Sequence, residues 1–237
     1  MNKLFQVATL QALSLGALEG VVSYGEIKQL GDIGLGTFDG MDGEMIMLDG
    51  DVFRADVNGD IYAVDDEAMA PFACVATFTA DKTMTIMDSG SFDDLARGLN
   101  VMIPASEKNL FHAARIVGNF KSITYRSIAK QERPYPSADK INPADRKSYT
   151  DTDASGFLVA LRSPEYMDGL NFAGWHIHYI SRDFTRGGHV LDVKVADADA
   201  EICTIEDYEI RLPKGGFFNN LNLSEIDPGI VEGLEKE

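Results

Sequence analysis

The chain has 237 residues, of which 45% are hydrophobic and 25% charged, enough for one large domain or two small domains packed together. Its 38 acidic and 21 basic residues give a net charge of -17. This excess of carboxylates argues against nucleic-acid or anionic-membrane binding, which requires an excess of cations. A small anionic substrate remains compatible with it, provided that an arginine or a metal ion lies in the pocket.

The N-terminal part of the chain predicts a helix followed by a sheet. Apolar residues recur at nearly helical spacing between Phe5 and Leu18, which predicts a helix there. Residues 36–64 alternate short apolar runs with glycine and aspartate, and we expect several antiparallel strands. The dipeptide Asn58-Gly59 lies between two such runs and is a strong hairpin signal.

The middle of the chain predicts further strands, at residues 74–79 and 84–87. A helix should begin at Ser91, because acidic residues follow it directly and favour the first turn of a helix. Residues 113–117 and 122–127 flank Gly118-Asn119, and this arrangement predicts another hairpin.

The segment 133–152 is rich in proline, serine and charge and predicts a long loop that separates two halves. Beyond it we expect strands at 156–162, 175–181, 188–195 and 201–212, and a short acidic helix in the tail. The predicted class is α+β, rich in antiparallel strands, with the 133–152 loop as the seam between the two halves. The expected domains are 1–132 and 133–237, closely packed.

The two cysteines, Cys74 and Cys203, lie in apolar or strand-like settings, and we interpret them as buried free thiols, although a disulfide stays open. The stretch from Leu4 to Leu18 has no basic region or small-residue cleavage site, so we expect no signal peptide. No run of about eighteen apolar residues predicts a membrane span. We expect a cytoplasmic protein, although a leader already removed would leave no trace.

Three of the four histidines fall within GWHIHYISRDFTRGGH, residues 174–189. In a strand, His176 and His178 point to the same face, and a turn near Gly187-Gly188 would return His189 beside them. Three imidazoles without a fourth protein ligand leave an open coordination position, as in catalytic zinc sites. Zinc suits this set, while iron, nickel and copper also bind imidazole.

The histidine region is also compatible with other interpretations. A cupin-like metal oxygenase shares the His-x-His pair but usually offers a glutamate soon after it, and residues 179–184 contain none. Trp175 should point to the opposite face and belong to the core. Asp183 and Asp192 are candidates for holding the imidazoles through their second nitrogens. The fourth histidine, His112, we interpret as structural or exposed.

Four segments of the chain resemble segments of the alpha-acetolactate decarboxylase family. Along the chain they occur in the order found in that family, and the resemblance extends over nearly the whole chain. They are GWHIHYISRDFTRGGHVLD, GDIGLGTFDGMDGEMIMLDG, FKSITYRS and LRSPEYMDGLNFAG. The resemblance implies a homodimer of two-domain subunits, with a mixed sheet first and an antiparallel barrel second. It also implies one zinc ion per chain, held by His176, His178 and His189.

The same resemblance implies the remaining site residues. Glu44 and Arg126 correspond to catalytic positions, and Thr37 and Met41 to positions that line the substrate pocket. A C-terminal catalytic glutamate corresponds to Glu235, although a shift of three residues in the alignment would select Glu232 instead.

The implied reaction is the decarboxylation of 2-acetolactate to acetoin and carbon dioxide through a metal-stabilised enediolate, without an organic cofactor. A guanidinium is a poor acid, so we assign Arg126 to substrate positioning and Glu44 to proton donation or relay. The alternative is a non-catalytic binding or assembly domain of related fold with a structural zinc. Such a site would not need Glu44 and Arg126.

Overall fold

The computed structural model describes residues 1–215 and 217–224. Within them, fourteen strands form two large sheets and one small pair. The strands are β1 Lys3–Val7, β2 Val22–Ser23, β3 Ile33–Thr37, β4 Glu44–Leu48, β5 Asp51–Ala55, β6 Ile61–Ala63, β7 Met69–Ala70, β8 Phe72–Ala76, β9 Lys82–Ser89, β10 Phe111–Ile128, β11 Arg146–Ser163, β12 Gly174–Ser181, β13 Gly187–Ile205 and β14 Asp207–Arg211. The α-helices are α1 Leu10–Ser14, α2 Tyr24–Ile27 and α3 Phe92–Val101.

The first sheet has seven strands in the order β14-β1-β8-β3-β4-β5-β6. It is mixed, because β1 pairs parallel to β14 and antiparallel to β8. Both faces of its centre are buried. In β4, Ile46 and Leu48 join the core shared with the second sheet, whereas Met45 and Met47 belong to a cluster on the opposite face. This alternation is what the two-residue period of a strand requires.

The second sheet has five strands, all antiparallel, in the order β10-β11-β12-β13-β9. Strand β10 pairs with both β11 and β13, so four strands are hydrogen-bonded in a closed cycle. One face of these strands packs in a core of its own with the buried side of α3, at Leu95 and Leu99.

The two sheets share a second core, in which Leu35 and Ile46 of the first sheet pack with Val159 and Ile180 of the second. Along β12, Trp175, Ile177 and Tyr179 enter the core of the second sheet. The intervening residues, among them His176 and His178, therefore face the first sheet.

Several predicted elements are confirmed. The Asn58-Gly59 hairpin joins β5 to β6, which are antiparallel. Helix α3 follows Ser91, whose side chain accepts a hydrogen bond from the Asp94 backbone amide and caps the helix. The mostly β-stranded architecture also agrees with the predicted class.

The predicted helix from Phe5 to Leu18 is wrong over its first part. Residues 3–7 form β1, which lies between β8 and β14, and α1 begins only at Leu10, after the Thr9 cap. Four of the five β1 residues are buried. A strand buried on both faces is a continuous apolar run, which periodicity cannot distinguish from a helix.

The hairpin predicted at Gly118-Asn119 is also wrong, because β10 continues through both residues. Gly118 pairs with β11 on one side and with β13 on the other. A Cβ atom at Gly118 would come within 2.4 Å of the Ala198 Cβ. The absence of a side chain at Gly118 therefore allows β10 and β13 to lie close together. The predicted loop 133–152 is shorter than expected, since β11 begins at Arg146.

The division into domains 1–132 and 133–237 stays a prediction, but the sheets do not change at residue 132. Strands β9 and β10 precede that point and lie in the second sheet, whereas β14 follows it and lies in the first. Cys74 and Cys203 are buried free thiols as predicted, and burial raises the pKa of each to about 12. The described residues contain no helix long and apolar enough to cross a bilayer.

Candidate functional site

The three predicted histidines meet between the two sheets. His178 on β12 lies directly opposite His189 on β13, and His176 lies two residues before His178 on the same face. The Nε2 atom of His176 is 3.2 Å from Nε2 of His178 and 3.0 Å from Nδ1 of His189. All three side chains are buried.

Two glycines allow β13 to approach its neighbours at this point. A Cβ at Gly187 would lie 2.4 Å from the Tyr179 carbonyl oxygen, and one at Gly188 would lie 2.4 Å from that of Arg126. Gly188 also has a φ of 155°, which L-residues with side chains rarely adopt. The sequence Arg-Gly-Gly-His therefore carries His189 into contact range of β10 and β12.

The surroundings keep the imidazoles neutral. Burial, followed by the nearby Arg126 guanidinium, lowers the pKa of His176 to about 3. Burial, followed by the His176 imidazole, lowers the pKa of His178 well below its ordinary value. Nδ1 of His178 lies 2.7 Å from the Met45 carbonyl oxygen. Because a carbonyl can only accept, Nδ1 donates, and the Nε2 lone pair of the neutral ring is directed into the cluster.

This donor set fits a divalent metal ion. Tetrahedral zinc with Zn–N bonds of about 2.0–2.1 Å separates its nitrogen ligands by roughly 3.3 Å, close to the observed 3.0 and 3.2 Å. Neutral imidazole is the form that binds metals. Among residues 1–215 and 217–224, this histidine cluster is the one place where three or more potential metal-binding side chains meet.

A carboxylate and a guanidinium lie beside the cluster. Oε1 of Glu44 is 3.6 Å from Nη1 of Arg126, and Oε2 of Glu44 is 3.8 Å from Nε2 of His178. The exposed fraction of the residue is 8% for Glu44 and 2% for Arg126. Arg126 on β10 pairs directly with His189 on β13. The fold thus brings a buried acid and a buried cation from opposite sheets to the same imidazoles.

Glu44 reaches this position through the tight turn between β3 and β4. Gly40, Met41 and Gly43 all have positive φ angles, and the Gly43 amide donates to the Met41 and Ile128 carbonyls. The Thr37 hydroxyl donates to the Gly43 carbonyl at 2.7 Å. Thr37 and Met41 both line the cavity beside the histidines, and the Thr37 hydroxyl also stabilises the turn that presents Glu44.

The cavity has a volume of about 40 Å³, room for the centres of a few water-sized molecules. Its apolar wall was not predicted from the sequence and consists of Leu10, Leu13, Gly36, Phe72 and Ile128. These residues come from α1, β3, β8 and β10, so no local motif connects them. Only tertiary packing brings them together.

The two aspartates that the sequence offered as partners of the imidazoles contact other groups. Asp192 accepts from the Phe92 backbone amide, and Asp183 accepts from the Ser181 and Thr185 hydroxyls. The partner found for His178 is a backbone carbonyl instead, which sequence reading cannot identify. Trp175 belongs to the core as predicted and donates to the Asn100 side chain.

The fourth histidine lies outside the metal cluster. His112 is buried on β10, fourteen positions from Arg126, with its Nε2 3.8 Å from Glu107 Oε2, in line with the structural interpretation. Glu232 and Glu235 lie outside the described residues.

Fold and site together define a mostly β-stranded protein with a buried three-histidine candidate metal centre between two sheets. The sequence model of the alpha-acetolactate decarboxylase family matches residues 4–225. The enzyme of that name from Methanosarcina mazei is 38% identical over 234 residues, covering 98% of this chain and 79% of the relative. The one from Brevibacillus brevis is 31% identical, covering 100% and 82%. The chain belongs to the alpha-acetolactate decarboxylase family.

Solved structures agree with this membership. The crystal structure of alpha-acetolactate decarboxylase from Bacillus subtilis strain 168 matches with a TM-score of 0.94 and 31% identity, covering 99% of this chain and 100% of that one. A Staphylococcus aureus protein of unknown function, described as similar to alpha-acetolactate decarboxylase, matches with a TM-score of 0.84 and 31% identity over 98% and 97%. The similarity thus extends over the whole fold.

Proposed function

We propose that the protein is a carboxy-lyase that converts 2-acetolactate into acetoin and carbon dioxide. The observation that carries the proposal is the position of Glu44 and Arg126 beside the buried three-histidine cluster. Glu44 lies 3.6 Å from Arg126 and 3.8 Å from His178. A purely structural metal site has no use for a buried acid and cation beside its open side. The names of the relatives support the same reaction.

The metal centre is proposed to hold one zinc ion per chain, although other divalent transition metals also bind imidazole. His176, His178 and His189 are its ligands. When bound, a divalent cation supplies Lewis acidity to the hydroxyl and ketone oxygens of a chelating substrate. The low pKa values of His176 and His178 keep their nitrogens available without competition from protons near neutral pH.

Arg126 is proposed to bind the anionic substrate and to stabilise negative charge. On a protein of net charge -17, a cation inside the pocket is needed to attract a carboxylate. The bond between C2 and the carboxylate carbon breaks, carbon dioxide leaves, and the electron pair moves into the adjacent ketone to give an enediolate. Positive charge held beside that oxygen lowers the barrier most when it is fixed in advance.

Glu44 is proposed to deliver the proton that completes acetoin. The enediolate is planar at the former carboxylate-bearing carbon, so a donor on one face yields a single enantiomer. Oε2 of Glu44 lies 3.8 Å from Nε2 of His178, so the carboxyl group lies beside the imidazoles that would hold the metal ion. Thr37 and Met41 shape this side, and the apolar wall of Leu10 and Phe72 limits water.

Further proposals rest on the family resemblance. We propose a cytoplasmic homodimer whose subunits have domains 1–132 and 133–237, and in which the closed cycle of strands in the second sheet forms a barrel to which β10 of the first domain contributes. We also propose that Glu235 acts at the site, with Glu232 as the alternative. Mass measurement in solution tests the dimer, and Glu235→Gln against Glu232→Gln separates the two glutamates.

The test of the main proposal is an acetoin assay on racemic 2-acetolactate. We expect activity in the purified protein, its loss after removal of metal by a chelator, and its recovery with zinc. His112→Gln is the matched control, since it alters the one histidine outside the cluster. A protein that forms no acetoin from this substrate under any metal loading overturns the substrate assignment, and full activity without metal overturns the metal centre.

A further inference from the structure

The candidate site is assembled from two sheets, so its geometry depends on how the sheets are held together. Glu44 and the Met45 carbonyl belong to the first sheet, whereas Arg126 and the three histidines belong to the second. Small movements between the sheets would change the 2.7 Å contact from His178 to Met45 and the 3.6 Å gap from Glu44 to Arg126.

Arg186 connects the sheets next to this site. It lies in the turn between β12 and β13, and its Nη1 donates to the Asn58 carbonyl and to Asp60 Oδ1, both at 2.8 Å. Its Nε donates to the Tyr125 hydroxyl at 3.2 Å, and its guanidinium lies 4.8 Å from the Tyr149 ring centre. One side chain thus joins the β5–β6 turn of the first sheet to β10 and β11 of the second.

The backbone around Arg186 makes the same connection. The Gly187 amide donates to the Gly59 carbonyl at 3.0 Å, and the Ile61 amide donates to the Thr185 carbonyl at 3.1 Å. Gly59 has a φ of 76°, and a Cβ there would lie 3.1 Å from the Tyr125 ring. The β5–β6 turn is therefore shaped to fit against the Arg186 guanidinium and the two tyrosines.

We propose that Arg186 is a positioning residue for the metal centre and for the reaction assigned under the proposed function. The next two residues are Gly187 and Gly188, which have no side chains to pack, and the third is the ligand His189. The position of that short glycine segment therefore depends on how its preceding residue is anchored. Arg186 sets it through four contacts that span both sheets.

The chain contains a matched control in Arg115. Arg115 also joins the sheets, through Asp49 of the β4–β5 turn and Glu201 of β13, and lies 5.8 Å from the Phe78 ring centre. The exposed side-chain fractions are similar, 32% for Arg115 and 30% for Arg186. Arg115 lies eleven residues from Arg126 along β10, a path of at most about 36 Å at 3.3 Å per residue.

The experiment compares Arg186→Gln with Arg115→Gln in the full-length protein. Zinc affinity is measured by competition with a chelator, and the site is loaded with cobalt(II), whose visible absorption reports ligand geometry. For Arg186→Gln we expect zinc affinity to fall about tenfold to a hundredfold, as when the outer partners of metal ligands are removed, together with an altered cobalt spectrum. kcat should fall more than KM rises. For Arg115→Gln we expect lower stability but both metal readouts within twofold of wild type.

Conservative variants keep the test valid if Arg186→Gln does not fold. Arg186→Lys retains the charge facing Asp60 but loses the planar fork, and Asp60→Asn weakens the same contact from the other side. Both should lie between wild type and Arg186→Gln in zinc affinity. Three results overturn the proposal: equal effects of Arg186→Gln and Arg115→Gln on metal binding, no effect of the Arg186 variants, or a wild-type protein that binds neither zinc nor cobalt(II). A wild type that binds zinc but leaves 2-acetolactate intact overturns the proposed function alone.

Discussion

Replacement of Glu44 by glutamine removes an ionisable carboxyl group, which can be charged or can donate a proton, while nearly preserving the shape of the side chain. Because Oε1 lies 3.6 Å from Arg126 Nη1, the carboxylate competes with an anionic substrate for that guanidinium. We therefore expect KM to stay constant or to fall. A positioned general acid contributes about 10²–10⁴-fold to a rate, so kcat should drop by that factor, equivalent to about 3–5 kcal/mol in the barrier.

The assay is chiral chromatography of the acetoin formed from racemic 2-acetolactate. If Glu44 protonates the enediolate, water will replace it in the glutamine variant and reach both faces, so the enantiomeric excess should decrease. Zinc content should remain at the wild-type level. Glu44→Asp is the control, because it keeps an acid but withdraws it by one methylene, and it should slow the reaction less and preserve chirality.

An unchanged rate together with an unchanged enantiomeric excess would remove Glu44 from the mechanism. A slower reaction that still gives one enantiomer would leave Glu44 a supporting role and pass proton delivery to another group. Loss of zinc in Glu44→Gln would show instead that the carboxylate helps to hold the metal.

Three further predictions concern single residues. His178→Ala should lose zinc and activity together, because it removes one of three ligands. Metal analysis alongside the acetoin assay checks this, and an active variant with full zinc content would refute it. Arg126→Gln should keep zinc but lose about tenfold to a hundredfold in kcat/KM, because a hydrogen bond to a charged group contributes about 1.5–3 kcal/mol; normal kinetics would refute its role. Burial, followed by the cations Arg162 and Lys82, lowers the pKa of His112 to about 4, whereas the unfolded chain protonates near 6.5. The contribution of neutral, buried His112 to the free energy of unfolding is therefore fully present above pH 6.5 and is lost as the pH falls to 4, by about 3 kcal/mol. Urea unfolding of His112→Gln should show a flatter dependence over this range, and an unchanged slope would contradict the assignment.

Local patterns in the sequence were sufficient for the parts of the protein whose physics is local. The i, i+2 spacing of His176 and His178 determines that they share one face of a strand, and a short turn returns His189 to the same place. Ser91 with its following acids begins a helix for reasons contained in four residues. The Asn58-Gly59 turn is likewise set by its own backbone preferences.

Tertiary structure decided everything that depends on which strands become neighbours. Residues 3–7 form a strand only because β8 and β14 supply hydrogen bonds on both sides, and Gly118 lies inside β10 because two long partners need close approach there. The cavity wall combines Leu13, Phe72 and Ile128 from distant parts of the chain. The Met45 carbonyl faces His178 only after the two sheets pack. Such contacts arise from the burial of apolar faces between sheets, which no local spacing encodes.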